Sequence, residues 1–167
     1  DTNDGLIEKS SSSVNVTCLR GKQENGKTWG HNGVGFIHSN NGTVRECFAS
    51  GSVTINSGVV NYGSAGFCQT NMGLIESCFC TGTITDMGGY LDGDAVAQFV
   101  ANNGLSGMVS EGYPVIRNCF STSKIVYTNP DNVRNCTGGF VYSFNGKHEH
   151  DFASFPFCWF NADGVPS

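Results

Sequence analysis

One sentence is written three times in this chain, and it governs what the chain can fold into. It reads Asn40-Asn41-Gly42-Thr43-Val44-Arg45-Glu46-Cys47-Phe48-Ala49-Ser50-Gly51, then Asn71-Met72-Gly73-Leu74-Ile75-Glu76-Ser77-Cys78-Phe79-Cys80-Thr81-Gly82, then Val115-Ile116-Arg117-Asn118-Cys119-Phe120-Ser121-Thr122-Ser123. A degenerate half copy, residues 3–17, precedes them with Asn3-Asp4-Gly5-Leu6-Ile7-Glu8. The chain therefore reads as starting in the middle of a repeat. A leading half, centred on a phenylalanine, comes before each full copy: Phe36, Phe67, Phe99 and Phe140 occupy one equivalent position. Cys47 to Cys78 is 31 residues, Cys78 to Cys119 is 41 and Cys119 to Cys158 is 39. A fixed half-motif with a variable period means a constant rung with insertions at one corner. This is the mark of a solenoid, in which a repeat buries its apolar face only against its neighbours.

The rung is built of strands. Val53-Thr54-Ile55, Thr83-Ile84-Thr85 and Lys124-Ile125-Val126-Tyr127 are short, β-branched and alternating, and no stretch shows a helical period. The class is therefore all-β, a β-solenoid of about four to five coils as one domain over residues 1–167. Its repeats are at about 33–63, 64–95, 96–136 and 137–163. Residues 18–32 make a polar, glycine-bearing connection. Equivalent residues on successive coils should lie about 4.8 Å apart, which predicts inward ladders. One is Val14, Val53, Ile84 and Ile125; a second is Val44, Ile75 and Ile116; a third is the Phe36 set. The Asn-x-Gly turns suit tight corners, and their asparagines are placed to bond to one another along the axis.

Composition fits this reading. Only 14% of the 167 residues are charged and Gly numbers 23, against about 25% charged in ordinary domains. The net charge is −5 with Lys and Arg scattered singly, so the basic stripe of a nucleic-acid binder is missing. No apolar run approaches the roughly 18 residues of a membrane span. No charged-then-apolar leader stands at Asp1, so any signal peptide is expected to have been removed. Three sequons stand at Asn15, Asn41 and Asn135, and the eight cysteines together with the low charge favour an exported, oxidising location.

The paired half-motifs, Gly-Phe-x-x-x-Asn-x-Gly-x-(Val/Ile)-x-x-Cys-Phe-x-(Ser/Thr)-Gly, resemble the GLUG repeat of bacterial surface and secreted proteins. Cys158-Trp159-Phe160-Asn161-Ala162-Asp163 is similar to the Tyr-Trp-Asp element that follows such arrays. The resemblance covers most of residues 3–163. It implies a right-handed parallel β-helix of the kind found in adhesins and in non-catalytic regions of large secreted proteins, and it supplies no catalytic residues. Cysteines are richer here than in the usual pattern.

The candidate sites are few. Cys47, Cys78 and Cys119 should lie on adjacent coils, near enough for one disulfide. Cys18 and Cys136 lie off that ladder and are candidates for loop staples, with the pairing left open. His148 and His150 would share a face of a strand and suit a metal such as zinc, but a solvated loop explains them as well. Asp86, Asp92, Asp94 and Glu111 lie in insertions without a basic partner, so a polysaccharide-cleaving enzyme is the weakest reading. Ser13, Ser52, Thr83 and Lys124, with Asn15, Thr54, Thr85 and Val126 beside them, make a flat outer face of the kind that binds ice, broken by Lys124 and the Asn15 sequon. Tyr90, Tyr113, Phe152 and Phe155 would make an insertion-loop side that recognises a carbohydrate or protein.

The leading expectation is non-enzymatic. It is an extracellular or cell-surface structural protein, a subunit of a fibre, filament or adhesin that self-associates end to end by head-to-tail stacking of coils. The alternative is a carbohydrate- or protein-binding surface module with a glycan or cell-surface partner. No cofactor, no nucleic acid and no membrane span is implied.

Overall fold

The computed structural model describes residues 1–24, 27–30, 32–56, 63–87, 96–104, 114–128, 137–144 and 158–160. All regular structure in them is strand, and the strands of successive coils pair in parallel to make five narrow sheets around one core. This is a parallel β-solenoid. The third coil shows the plan. It passes through Ser64–Ala65, Cys68–Asn71, Leu74–Glu76, Phe79–Cys80 and Thr83–Asp86 in turn. These five strands define five faces, numbered in words below in that order. An antiparallel hairpin, Arg20–Glu24 with Lys27–Gly30, follows the first coil.

Local chemistry sets each corner. Between the second and third faces stand Asn40-Asn41-Gly42 and Asn71-Met72-Gly73. Here successive coils touch so closely that a Cβ on Gly73 would run into the carbonyl oxygen of Gly42. Between the third and fourth faces the backbone turns through a left-handed residue: Lys9, Glu46, Ser77 and Asn118 have φ of 51°, 53°, 52° and 52°. That conformation is costly for residues other than glycine and mildest for Asn. At the first three it is held because the N–H reaches the next coil: Lys9 N donates to the Arg45 carbonyl at 3.2 Å, Glu46 N to that of Glu76 at 3.1 Å and Ser77 N to that of Arg117 at 3.1 Å.

The core is a set of ladders. Val44, Ile75 and Ile116 are fully buried and in register, with Ile7 beneath Val44. Phe36, Phe67, Phe99 and Phe140 stack face to face, with ring centroids 4.9, 4.8 and 4.7 Å apart. Burying Phe67 or Phe99 contributes roughly 2–3 kcal/mol, and each stacked pair adds about 1 kcal/mol. On the fifth face Val53, Ile84 and Ile125 point inward.

The sequence reading put Val14 in that last ladder, and the structure corrects it. Val53 pairs with Val16, Thr54 with Thr17 and Ile55 with Cys18, and Val14 is 66% exposed. The first coil keeps one register throughout, because Leu6 pairs with Thr43 and Ser11 with Phe48 at the same separation as Val16 with Val53. Val14 therefore falls level with Gly51, on the corner before the fifth face. The outer columns of that face change accordingly. Thr17, Thr54, Thr85 and Val126 form one, and Asn15 lines up with Ser52, Thr83 and Lys124 in the other.

Candidate functional site

Three ladders repeat polar chemistry from coil to coil, two inside and one outside. The asparagine ladder is buried on the second face. Asn3 Nδ2 donates to Asn40 Oδ1, Asn40 Nδ2 to Asn71 Oδ1, and Asn71 Nδ2 to Asn103 Oδ1, each at 2.8 Å. The same amides hold the corner: Asn71 Nδ2 also donates to the Gly73 carbonyl at 3.2 Å, while Gly73 N donates to Asn71 Oδ1 at 3.3 Å. The ladder ends at Asn103, which is level with Phe144 on the next coil. Asn103 Nδ2 is buried and has no hydrogen-bond partner.

The cysteine ladder lies just past the left-handed corner. Cys47, Cys78 and Cys119 are buried. Each thiol donates to the carbonyl two residues earlier, that of Arg45, Glu76 and Arg117, at 3.1 Å. Each sulfur above accepts the amide of the coil below, Cys47 N to Cys78 Sγ and Cys78 N to Cys119 Sγ, at 3.4 Å. Burial pushes the Cys47 and Cys119 thiols up. Cys18, Cys47, Cys78 and Cys119, drawn from sequence as disulfide candidates, carry free thiols in the structure, as do Cys68 and Cys80. Burial pushes Cys18 and Cys80 up to about 11 and Cys68 up as well. Thiols raised in this way behave as small packed side chains rather than nucleophiles; Cys78 differs, its thiol held below the ordinary range chiefly by the hydrogen bond with Cys119.

The third ladder is outside and was not noticed in the sequence. Glu8, Arg45, Glu76 and Arg117 line up on the third face in register. Arg45 Nε and Nη2 both donate to Glu8 Oε2, at 2.9 and 2.7 Å, and Arg117 Nε donates to Glu76 Oε1 at 2.8 Å. The Arg45 guanidinium holds the Glu8 carboxyl below its ordinary range. Alternation avoids like charges stacked on adjacent strands. The signal was in the repeat, since the residue before each left-handed corner alternates Glu and Arg.

One corner on, the fourth face carries an aromatic column. Phe48, Phe79 and Phe120 stack with centroids 5.1 and 4.9 Å apart and planes within 6° and 1°. They point outward, in line with Ser11 on the first coil and with the backbone of Trp159 on the last. Phe48 is 37% exposed.

The other predicted residues divide between placed and undescribed. Asn15 and Asn41 are exposed; Asn15 Oδ1 accepts from Ser52 N at 2.9 Å, and Asn41 Nδ2 donates to Asp4 Oδ1 at 2.7 Å. Asp86 is buried and faces the core beside Ile55 and Tyr127 in register. Asn135, Cys136, His148, His150, Asp92, Asp94, Glu111, Tyr90, Tyr113, Phe152 and Phe155 lie outside the described residues. Among the described residues, no group of three or more His, Cys, Asp or Glu side chains is placed to hold a metal ion. Among the described residues, no helix is long and apolar enough to cross a membrane.

The chain matches no protein-family model, no curated protein and no solved structure.

Proposed function

We propose that this chain is an extracellular or cell-surface structural element, a β-solenoid of a fibre or adhesin that lengthens by stacking coil on coil. The observation that carries this reading is a uniform rung, repeated in parallel register from coil to coil. Among the described residues, Thr2–Asn3, Leu6–Glu8, Ser11–Ser12 and Val16–Cys18 pair on one side only, each with the second coil. Their other side offers parallel backbone donors and acceptors beside Ile7 and the Asn3 amide. A further coil satisfies those groups, whether another copy or more of the same polypeptide supplies it. The resemblance to GLUG repeats of surface proteins points the same way. Export is supported by the exposed sequon asparagines, Asn15 and Asn41.

Electron microscopy of the chain at micromolar concentration tests the reading. Filaments with an axial rise of roughly 4.8 Å per coil are expected. Discrete short rods at every concentration would refute end-to-end growth of this chain.

A further inference from the structure

We propose that the outer face bearing Phe48, Phe79 and Phe120 docks laterally on a second copy of this chain, with the two solenoid axes antiparallel. The contact is independent of coil stacking at the ends.

The aromatic column presents ring edges. Phe79 has both ring faces taken up by its neighbours, at 5.1 and 4.9 Å between centroids, while Phe48 stacks on Phe79 alone and lies beside Ser11 on its other side. What remains outward is a straight apolar ridge with a period of one coil. A ligand that stacks on ring faces finds none free on Phe79, at the middle of the column, whereas a second ridge of the same period packs along it.

Charge then selects the partner and its direction. The column one corner away runs Glu8, Arg45, Glu76, Arg117 along the axis. These side chains remain 45%, 40%, 46% and 26% exposed for Arg45, Glu8, Arg117 and Glu76. Read in reverse, the order is Arg, Glu, Arg, Glu. A two-fold axis along the strand direction, midway between the Arg45 and Glu76 rungs, therefore sets Glu8 against Arg117 of the second copy and Arg45 against its Glu76. The same axis keeps the aromatic column opposite itself, Phe48 facing Phe79 of the second copy and Ser11 facing its Phe120. Both columns are self-complementary under one operation, as an isologous contact requires. Such a contact closes at two copies.

Sedimentation velocity across a concentration series tests this, with circular dichroism and melting as the check on fold. The wild-type chain is expected to pair side by side, doubling the mass of whatever end-to-end species is present at each concentration. Phe79→Ser places in the third coil the residue type that Ser11 already supplies in the first, and it should weaken pairing by at least about tenfold. The sharper variant is the exchange Glu76→Arg with Arg117→Glu. It preserves net charge and an oppositely charged pair on the third and fourth coils, but the column then reads the same in both directions and sets like against like. Pairing should be lost at low salt. A wild-type chain that stays monomeric, or that recruits a glycan on this face without self-association, overturns the proposal. So does a dimer or longer series that both variants leave unchanged.

Discussion

Ser10 and Cys47 hold the same place on successive coils and make the same bond. The Ser10 hydroxyl donates to the Glu8 carbonyl at 2.9 Å, and the Cys47 thiol to the Arg45 carbonyl at 3.1 Å. The cysteine ladder is therefore a hydrogen-bonded corner lining, with serine at its exposed end and the larger, less polar sulfur where the corner is buried.

Substitution at Cys78 follows from that equivalence. Cys78→Ser keeps a donor for the Glu76 carbonyl and an acceptor for Cys47 N, so it should cost no more than about 1.5 kcal/mol. Cys78→Val removes both and should cost more, despite its better apolar match. Urea denaturation of the two variants checks the order. Alkylation in denaturant without reductant, followed by peptide mapping, should find Cys18, Cys47, Cys68, Cys78, Cys80 and Cys119 all labelled.

The asparagine ladder should be weakest at its end. Asn71 accepts from Asn40, donates to Asn103 and holds Gly73, so Asn71→Ala strands several buried groups and should cost about 3 kcal/mol or more. Asn103 already has an unpartnered Nδ2, and Asn103→Ala should cost roughly 1 kcal/mol. Equal losses at the two positions would deny that the ladder acts as a bonded series.

Two glycines separate a close contact from an open turn. A Cβ on Gly73 meets the Gly42 carbonyl, while one on Gly5 meets nothing within 4 Å. Gly73→Ala should destabilise by roughly 3 kcal/mol or abolish folding, and Gly5→Ala should stay within about 0.5 kcal/mol of wild type. Thermal melts of the pair decide it.

Alkaline pH should loosen the coil through its thiols. Burial raises Cys80 from 9.0 to about 11 in the folded chain. Above pH ~9 the unfolded chain gives up this proton while the folded chain keeps it. The unfolded state then binds fewer protons, and stability falls as pH rises. The contribution of Cys80 is whole below pH ~9 and lost by pH ~11, on the order of 2–3 kcal/mol for a fully buried thiol. Denaturation midpoints measured across that window should decline, and less steeply for Cys80→Ser.

Much of this architecture was legible because solenoid registers are written directly into sequence. The recurring Phe, Ile and Cys positions mark the corners and inner faces, and Asn-x-Gly marks the bonded turn. The register of Val14 was misread because Val14 and Val16 are the same residue type. Only the unbroken count from Glu8, opposite Arg45, distinguishes them, and at the open first coil a valine fits where Gly51 and Gly82 stand. The Glu8 to Arg117 column and the outward turn of Phe48 were missed for another reason. Both depend on which face of a two-residue period meets solvent, and the left-handed residues at Glu46 and Ser77 reset that period at the corner.

The asparagine series also gives the rod a sense of direction. Every amide in it points the same way, NH₂ toward the later coil and carbonyl toward the earlier, so the small dipoles add along the axis. One end of the series is left with an accepting oxygen at Asn3, tied to Gly5 N at 3.1 Å, and the other with the bare donor of Asn103. Copies joined end to end extend this polarity like magnets in a row. Two copies lying side by side in opposite senses cancel it.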